Sequence, residues 1–244
     1  MVFLSILAAA SVQTPALVSL DWIDADSGCT AIACADVNND GLDDLLATFS
    51  DGRFLVSYSH PEGKAGGWET LNKHAPPNTV GIGVVRTDRP PIRQYFLATP
   101  TQLFSWLARA APGDSEPLDN SVRLTGRRDS EKSGDSPSDV PLRVAEAASV
   151  AGVLWVQTPE HEWWMLRTTG SFFIGPYPDP RPSLLPVTPP KDASPKSEPA
   201  QPRWRFGGDL NGDGLRDAVA VFRAGRAPDE HFVVRVTLDT KTAK

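Results

Sequence analysis

The sequence predicts an all-β protein: a β-propeller, or a propeller fragment, with about four blades of roughly four antiparallel strands each. Short apolar segments flank turn signals such as SDG at residues 50–52, which is the pattern of β-hairpins. The 23 prolines among 244 residues argue against long helices. Similar segments recur at intervals of about 50 to 65 residues, somewhat longer than WD40 or kelch blades, around Thr48, Thr99, Thr158 and Val221.

The repeats divide the chain into four units that are separated by longer connectors. In the first unit the strand candidates are TAIACA, DLLATF, RFLVSYS and WETLN. Two connectors rich in Ser, Pro and charged residues are predicted to be solvated, disordered-like loops, at residues 111–141 and 175–203. The predicted units span residues 17–75, 76–124, 142–174 and 203–244.

The N-terminus, residues 1–16, resembles a short secretory signal. An apolar run extends from Val2 to Ala10, and Ala8 and Ala10 are spaced as in an A-x-A cleavage site. The usual positive region is missing, so a buried first strand is the alternative. With a signal peptide, the protein is expected to be secreted, periplasmic or at the cell surface. The run is too short to span a bilayer, and no membrane span is predicted.

The charge balance argues against nucleic-acid binding. The chain carries 24 Lys and Arg against 30 Asp and Glu, which gives a net charge of -6 and a pI near 5.2. The basic surface that binds phosphate backbones is therefore not expected. The expected partner is a protein or a glycan whose identity the sequence does not give.

Cys29 and Cys34 leave two interpretations open. In an exported chain they could form one small-loop disulfide, although their separation within a predicted strand often places thiols out of bonding geometry. Two free buried thiols are the alternative. The chain has no second cysteine pair and no histidine cluster, so a zinc site is not expected.

Two acidic loops share one pattern: DVNNDGLDD at residues 36–44 and DLNGDGLRD at residues 209–217. Oxygen ligands at positions 1, 3 and 5, a backbone carbonyl at position 7 and a carboxylate at position 9 can surround one hard cation. Glycine at position 6 permits the sharp turn. The alternative is a tight turn that merely favours Asp, Asn and Gly. Two copies in the same register, each opening a hairpin, favour cation binding.

Oxygen donors without His or Cys favour calcium over zinc or copper, so two Ca²⁺ sites are predicted. An EF-hand loop would need a glutamate at position 12, where this chain has Ala47 and Ala220. The first loop is expected to bind more tightly, because its position 8 is Asp43 where the second loop has Arg216. The predicted ligands are Asp36, Asn38, Asp40, Leu42 and Asp44, then Asp209, Asn211, Asp213, Leu215 and Asp217.

The stretches DVNNDGLDDLLATFSDGRFLVSY and FGGDLNGDGLRDAVAVF resemble FG-GAP/VCBS repeats, the calcium-loop blades of integrin-α-type propellers. The resemblance implies that each loop connects neighbouring strands of a blade and binds calcium through these same positions. The corresponding loops of the second and third units, RTDRPPIRQ and AEAASVAGV, lack the carboxylates, so calcium is expected only in the first and last units. Integrin-type propellers typically have seven blades, whereas this chain has room for about four.

No catalytic motif is present, and no enzymatic activity is predicted. The chain lacks G-x-S-x-G and P-loop patterns, and GIGVVR at residues 81–86 lacks the third glycine of a dinucleotide fingerprint. The main hypothesis is an exported, calcium-stabilised propeller module for protein interaction or adhesion. The alternative is a carbohydrate-binding or polysaccharide-active propeller. Trp163 and Trp164 could stack on a sugar, or they could pack inside the protein.

Overall fold

The computed structural model contains strands and turns, and no helix, in the part of the chain that it describes. The described residues are 17–24, 28–60, 65–71, 74–86, 93–108, 120–128, 139–150, 153–167, 172–181, 203–224 and 231–239. The strands are β1 (Leu17–Asp24), β2 (Cys29–Ala35), β3 (Asp44–Phe49), β4 (Phe54–Ser59), β5 (Ala65–Thr70), β6 (Gly81–Arg86), β7 (Arg93–Ala98), β8 (Gln102–Ala108), β9 (Asn120–Arg123), β10 (Thr125–Arg128), β11 (Asp139–Pro141), β12 (Glu146–Val150), β13 (Val153–Gln157), β14 (Trp163–Arg167), β15 (Phe172–Tyr177), β16 (Trp204–Gly208), β17 (Asp217–Ala224) and β18 (His231–Thr237).

These strands form four antiparallel blades, so the predicted all-β propeller class is confirmed. Blade 1 is β2–β5, blade 2 is β6–β9 and blade 3 is β12–β15. Blade 4 consists of β16–β18 and is completed by β1, which runs antiparallel to β18 with Leu17 opposite Thr237. The predicted first unit, residues 17–75, therefore needs correction, because β1 belongs to the last blade. There it covers the edge of β18, which would otherwise be unpaired.

The innermost strands of blades 2 and 3 meet through one parallel pairing, in which Ala147 lies opposite Gly81. This contact merges the two blades into one ten-stranded sheet. A Cβ added at Gly81 would lie 2.5 Å from the backbone nitrogen of Ala147 and 2.8 Å from its Cα. Glycine is therefore required here by the close approach of two backbones.

Three buried hydrophobic clusters lie between adjacent blades. One joins blades 4 and 1, a second joins blades 1 and 2, and the third joins blades 2 and 3. Among the described residues, no such cluster joins blade 3 to blade 4. Representative members of the three clusters are Phe49 with Val219, Leu46 with Ile82, and Phe96 with Trp164. Burial of these side chains between blades is the main stabilising contribution to the arrangement.

The predicted loop at residues 111–141 is partly wrong, because it contains β9, β10 and β11. Strand β9 pairs with β8 at the outer edge of blade 2, and β10 pairs with β15 at the outer edge of blade 3. Between them Leu124 is buried in the cluster that joins these blades. The prediction of a solvated loop relied on the many charged residues of this stretch. Its few apolar residues nevertheless include Leu124, which packs, together with Leu142 directly after the stretch, into the cluster between blades 2 and 3.

Other predictions concern residues outside the described ones. The predicted loop at residues 175–203 begins inside β15, but residues 182–202 are outside the description, as are residues 1–16 of the expected signal peptide. In the described part, no helix is long and apolar enough to cross a membrane. Cys29 and Cys34 are free thiols, which decides between the two interpretations of this pair. Burial raises the pKa of the Cys29 thiol to about 12.

Candidate metal centre

The two acidic loops occupy the same place in two adjacent blades. Residues 36–44 connect β2 to β3 in blade 1, and residues 209–217 connect β16 to β17 in blade 4. Each loop thus links the innermost strand of its blade to the second strand. The sequence-predicted ligands of each loop lie in one tight turn, and the two turns share the same pattern of hydrogen bonds from backbone N–H groups to side-chain oxygens.

The carboxylate at position 1 organises each loop. In the first loop Asp36 accepts the backbone N–H groups of positions 4 and 6, with nitrogen–oxygen distances of 2.7 and 3.3 Å. In the second loop Asp209 accepts the equivalent N–H groups at 2.7 and 2.9 Å. Because one carboxylate receives two loop amides, the backbone must turn around it.

Positions 3 and 5 continue this pattern. Asn38 accepts the N–H of position 5 at 3.0 Å, and Asn211 does so at 3.1 Å. Asp40 and Asp213 each accept the N–H of position 7 at 2.8 Å. The Asn38 amide also donates to Asp40 Oδ2 over 2.9 Å. The oxygen atoms at alternate positions therefore face the backbone of their own loop.

Two residues in each loop have left-handed backbone conformations. Gly41 and Gly214 at position 6 have φ angles of 91° and 78°, as the sharp turn requires. Position 4 is also left-handed, with φ of 67° at Asn39 and 74° at Gly212. Asparagine and glycine are the residues that adopt this conformation most readily. The turn at position 6 was predicted from its glycine, whereas the left-handed position 4 was not predicted, although its Asn and Gly favour this conformation.

Position 9 connects each loop to the end of the third strand of its blade or to the residues directly after it. Asp44 accepts the N–H of position 2 at 2.8 Å and that of Ser59, at the end of β4, at 2.9 Å. Asp217 accepts the N–H of position 2 and that of Asp239, after β18, both at 2.8 Å. Both aspartates are fully buried, with no exposed surface. Each carboxylate therefore holds the loop against the third strand of the blade.

Burial raises the pKa of Asp44 and of Asp217 to about 6. The backbone N–H donors lower these pKa values, and the neighbouring loop aspartates raise them. Within the described residues, no Lys or Arg forms an ion pair with either carboxylate. Each loop therefore places further aspartates close to a buried carboxylate, and their negative charge raises its pKa.

The donor set of each loop suits a hard divalent cation. It consists of carboxylate, amide and carbonyl oxygens, which are the ligands that Ca²⁺ prefers. In the described part of the chain, no group of three or more His, Cys, Asp or Glu side chains is arranged ready for a metal ion. In the first loop the side-chain oxygens at positions 1, 3, 5 and 9 accept hydrogen bonds from loop amides. Carboxylates have lone pairs for both an N–H donor and a cation, so the residues fit the ion.

The two loops also contact each other. The N–H of Asp43 donates to the carbonyl of Asp209 over 2.7 Å, and the N–H of Asp209 donates to Asp43 Oδ2 over 2.8 Å. Burial raises the pKa of Asp43. A Cβ added at Gly212 would lie 2.7 Å from Leu42 Cδ2. From the sequence, Asp43 was considered only as an additional negative charge at position 8 of the first loop. Its contact with the second loop could not be predicted from the sequence.

The innermost strands of all four blades line a pocket. Most of its lining residues are small or apolar and belong to no recognisable motif, so the pocket was not predicted from the sequence. Arg181 Nη1 donates to Glu146 Oε1 over 3.0 Å and connects the segment after β15 to the pocket wall. Burial raises the pKa of Glu146, and the Arg181 guanidinium partly offsets that effect. Arg216 also lines the pocket.

Trp163 and Trp164 are buried, with exposed fractions of 1% and 2%. Trp164 packs into the cluster between blades 2 and 3, so the packing interpretation of this pair is confirmed. His161, beside them in sequence, lies exposed in a turn with φ of 65°. Neither tryptophan presents a face on which a sugar ring could stack.

No protein-family model and no curated protein matches the chain. Among solved structures, the chain is similar to one described as BBS1N in complex with ARL6DN, soaked with lead. The two share 11% sequence identity with a TM-score of 0.29, and the match covers 87% of this chain and 67% of the other. The propeller architecture of this chain stands on its own strand pairing.

Proposed function

We propose that this protein is an exported, calcium-stabilised propeller module that binds a protein partner, as in interaction or adhesion. The matched hydrogen bonds of the two acidic loops carry the proposal. Two segments more than 160 residues apart share positions 1, 3, 5 and 9 and the same backbone turn. The resemblance of both loops to FG-GAP/VCBS repeats supports the same assignment.

Residues Asp36, Asn38, Asp40 and Asp44, with the Leu42 carbonyl, would hold one ion. Asp209, Asn211, Asp213 and Asp217, with the Leu215 carbonyl, would hold the other. Bound calcium supplies positive charge that offsets the repulsion among these carboxylates.

The aspartates would thereby fix the connection between the first two strands of blades 1 and 4. Asp44 and Asp217 extend this effect to the third strand through Ser59 and Asp239. An ordered loop keeps its blade edge in one conformation, and such ordered surfaces lose less entropy on binding a partner. We therefore propose that the module presents rigid blade edges to a protein.

Thermal unfolding with 10 mM calcium and then with excess chelator tests the cation assignment. Extracellular calcium sites commonly have Kd values of roughly 10⁻⁴ to 10⁻³ M. At about 10 to 100 times Kd, each site is expected to add about 1.4 to 2.7 kcal/mol to the free energy of unfolding. Asp40→Ala and Asp213→Ala should each remove a large part of the calcium-dependent increase in Tm.

Asp51→Ala is the matched control. Asp51 is an exposed aspartate of blade 1 that pairs with Arg53 at 2.7 Å. This variant loses one negative charge without touching either loop, so its calcium response should equal that of the native protein. A native protein whose Tm is the same in calcium and in chelator would overturn the calcium assignment.

The carbohydrate alternative is tested by a glycan-binding screen in calcium and in chelator. The two buried tryptophans no longer support it, and no glycan binding is expected. Calcium-dependent binding to a defined glycan would replace the protein-interaction proposal by the carbohydrate one. The cation assignment would be unaffected by that result, because it is measured separately by unfolding.

A further inference from the structure

Asp43 and Asp209 form a reciprocal contact that connects the two acidic loops. Each backbone N–H donates to the other residue, one to a carbonyl over 2.7 Å and one to a carboxylate over 2.8 Å. A Cβ added at Gly208 would lie 3.0 Å from Asp43 Oδ2 and 2.8 Å from Cys34 Cβ. The loops thus pack so closely that glycine is needed on the blade 4 side.

The contact involves the ligand positions themselves. Asp209 is position 1 of the second loop, and Asp43 directly precedes Asp44, which is position 9 of the first. A displacement of Asp209 must therefore move the residue next to Asp44. We infer that the two loops form one coupled unit, in which a cation bound in either loop raises the affinity of the other. The inference rests on the proposed calcium binding.

The coupling should be positive for two reasons. Binding in the second loop would immobilise Asp209 and, through the contact, also Asp43 and Asp44. A cation that then binds in the first loop would lose less conformational entropy, because these residues are already ordered. The Asp43 carboxylate also lies between the loops, where its Oδ2 accepts the N–H of Asp209 and lies close to Gly208. It can therefore reduce repulsion between two cations, which would otherwise oppose joint occupancy.

The contact also lies between the first and last blades. Blades 1 and 4 share a buried cluster that includes Cys29, Leu45 and Val219. Coupled loops would therefore stabilise the interface between the first and last blades. By linkage the effect is reciprocal, so each loop must change the affinity of the other by the same factor.

Calcium titration by calorimetry tests the coupling in the native protein and in two variants, each with one loop disabled. Asp40→Ala leaves only the second loop, and Asp213→Ala leaves only the first. The coupling factor is the product of the two native association constants divided by the product of the two single-loop constants. We expect a factor of about five or more. Adding Asp43→Ala should reduce it towards 1, whereas Asp51→Ala should leave it unchanged.

Each outcome separates the coupling from the calcium assignment. Binding at both loops with a coupling factor of 1 or less would overturn the coupling and leave calcium binding intact. A factor that Asp43→Ala does not reduce would also overturn it. Absence of calcium binding in every variant would instead contradict the proposed function. Circular dichroism checks that each variant is folded, and Asp40→Asn and Asp213→Asn serve as milder substitutes.

Discussion

Asp44 in blade 1 and Asp217 in blade 4 occupy equivalent positions, each fully buried and each accepting two backbone N–H groups. In both blades one oxygen binds the start of the loop and the other binds the end of the third strand or the residues after it. The acidic loops are therefore built into their blades and are not only surface turns.

Asp44→Asn and Asp217→Asn should both destabilise the protein. An asparagine amide can accept only through its oxygen, so one of the two N–H donors would face an NH₂ group. Leaving a buried donor unsatisfied costs about 1 to 3 kcal/mol in the free energy of unfolding. Urea denaturation measures the loss, with the exposed Asp51→Asn as control. Equal midpoints for Asp44→Asn and Asp51→Asn would contradict this role for the buried carboxylate.

The first loop should bind calcium more tightly than the second, because position 8 is Asp43 in one and Arg216 in the other. Reversing one charge near a surface site changes the electrostatic energy by about 1 kcal/mol or more, or about five-fold in affinity. Calorimetry on Arg216→Asp should show tighter binding in the second loop, and Arg216→Gln an intermediate value. Exchanging Asp43 and Arg216 should shrink the difference between the loops. If all these affinities agree, position 8 does not set the ranking.

Gly81→Ala should weaken the junction of blades 2 and 3. The new Cβ would meet the backbone of Ala147, which cannot rotate away as a side chain can. Overpacking of this kind costs about 1 to 3 kcal/mol. Gly67→Ala in β5 is the control, since a Cβ there meets nothing within 4 Å. Chemical denaturation compares the two, and a Gly81→Ala variant as stable as Gly67→Ala would show that the strands can separate without cost.

Trp164→Ala should lower the free energy of unfolding by about 3 to 5 kcal/mol, because it removes a large side chain from between two blades. Its ring lies against Gly126, where a Cβ would approach the ring to 2.7 Å. Its Nε1 has no hydrogen-bond partner among the described residues, so Trp164→Phe loses only packing and should cost less. Denaturation midpoints for the two variants test this order. A fully stable Trp164→Ala would return the residue to consideration as a ligand-binding one.

The local pattern made the fold class predictable. The strands of blade 1 follow from short apolar runs between turn signals, and the four repeat positions all fall in or directly after the second strand of a blade, namely β3, β7, β13 and β17. The pairing of β1 with β18 was not predictable, because the local sequence of β1 does not indicate which blade the strand joins. Strand choice there depends on contacts between distant residues.

For the candidate site too, local features were predictable from the sequence and contacts between blades were not. Within each loop, the spacing of oxygen-bearing residues gave the turn and the roles of its aspartates, because Asp, Asn and Gly determine backbone conformation locally. The contact of Asp43 with Asp209 depends on how two blades sit beside each other. The local sequence DVNNDGLDD does not indicate that Asp43 contacts Asp209 of another blade. The pocket between the innermost strands was missed because Ala and Gly carry no chemical signal.

The position of β1 in blade 4 has a kinetic consequence. Leu17 and Thr237 must find each other across nearly the whole chain before this blade is complete, and closing so long a loop loses much chain entropy before any contact compensates for it. We expect blades 1 to 3, whose strands are neighbours in sequence, to form first and blade 4 to form last. Hydrogen exchange during refolding should then protect the amides of β3 and β7 earlier than those of β18.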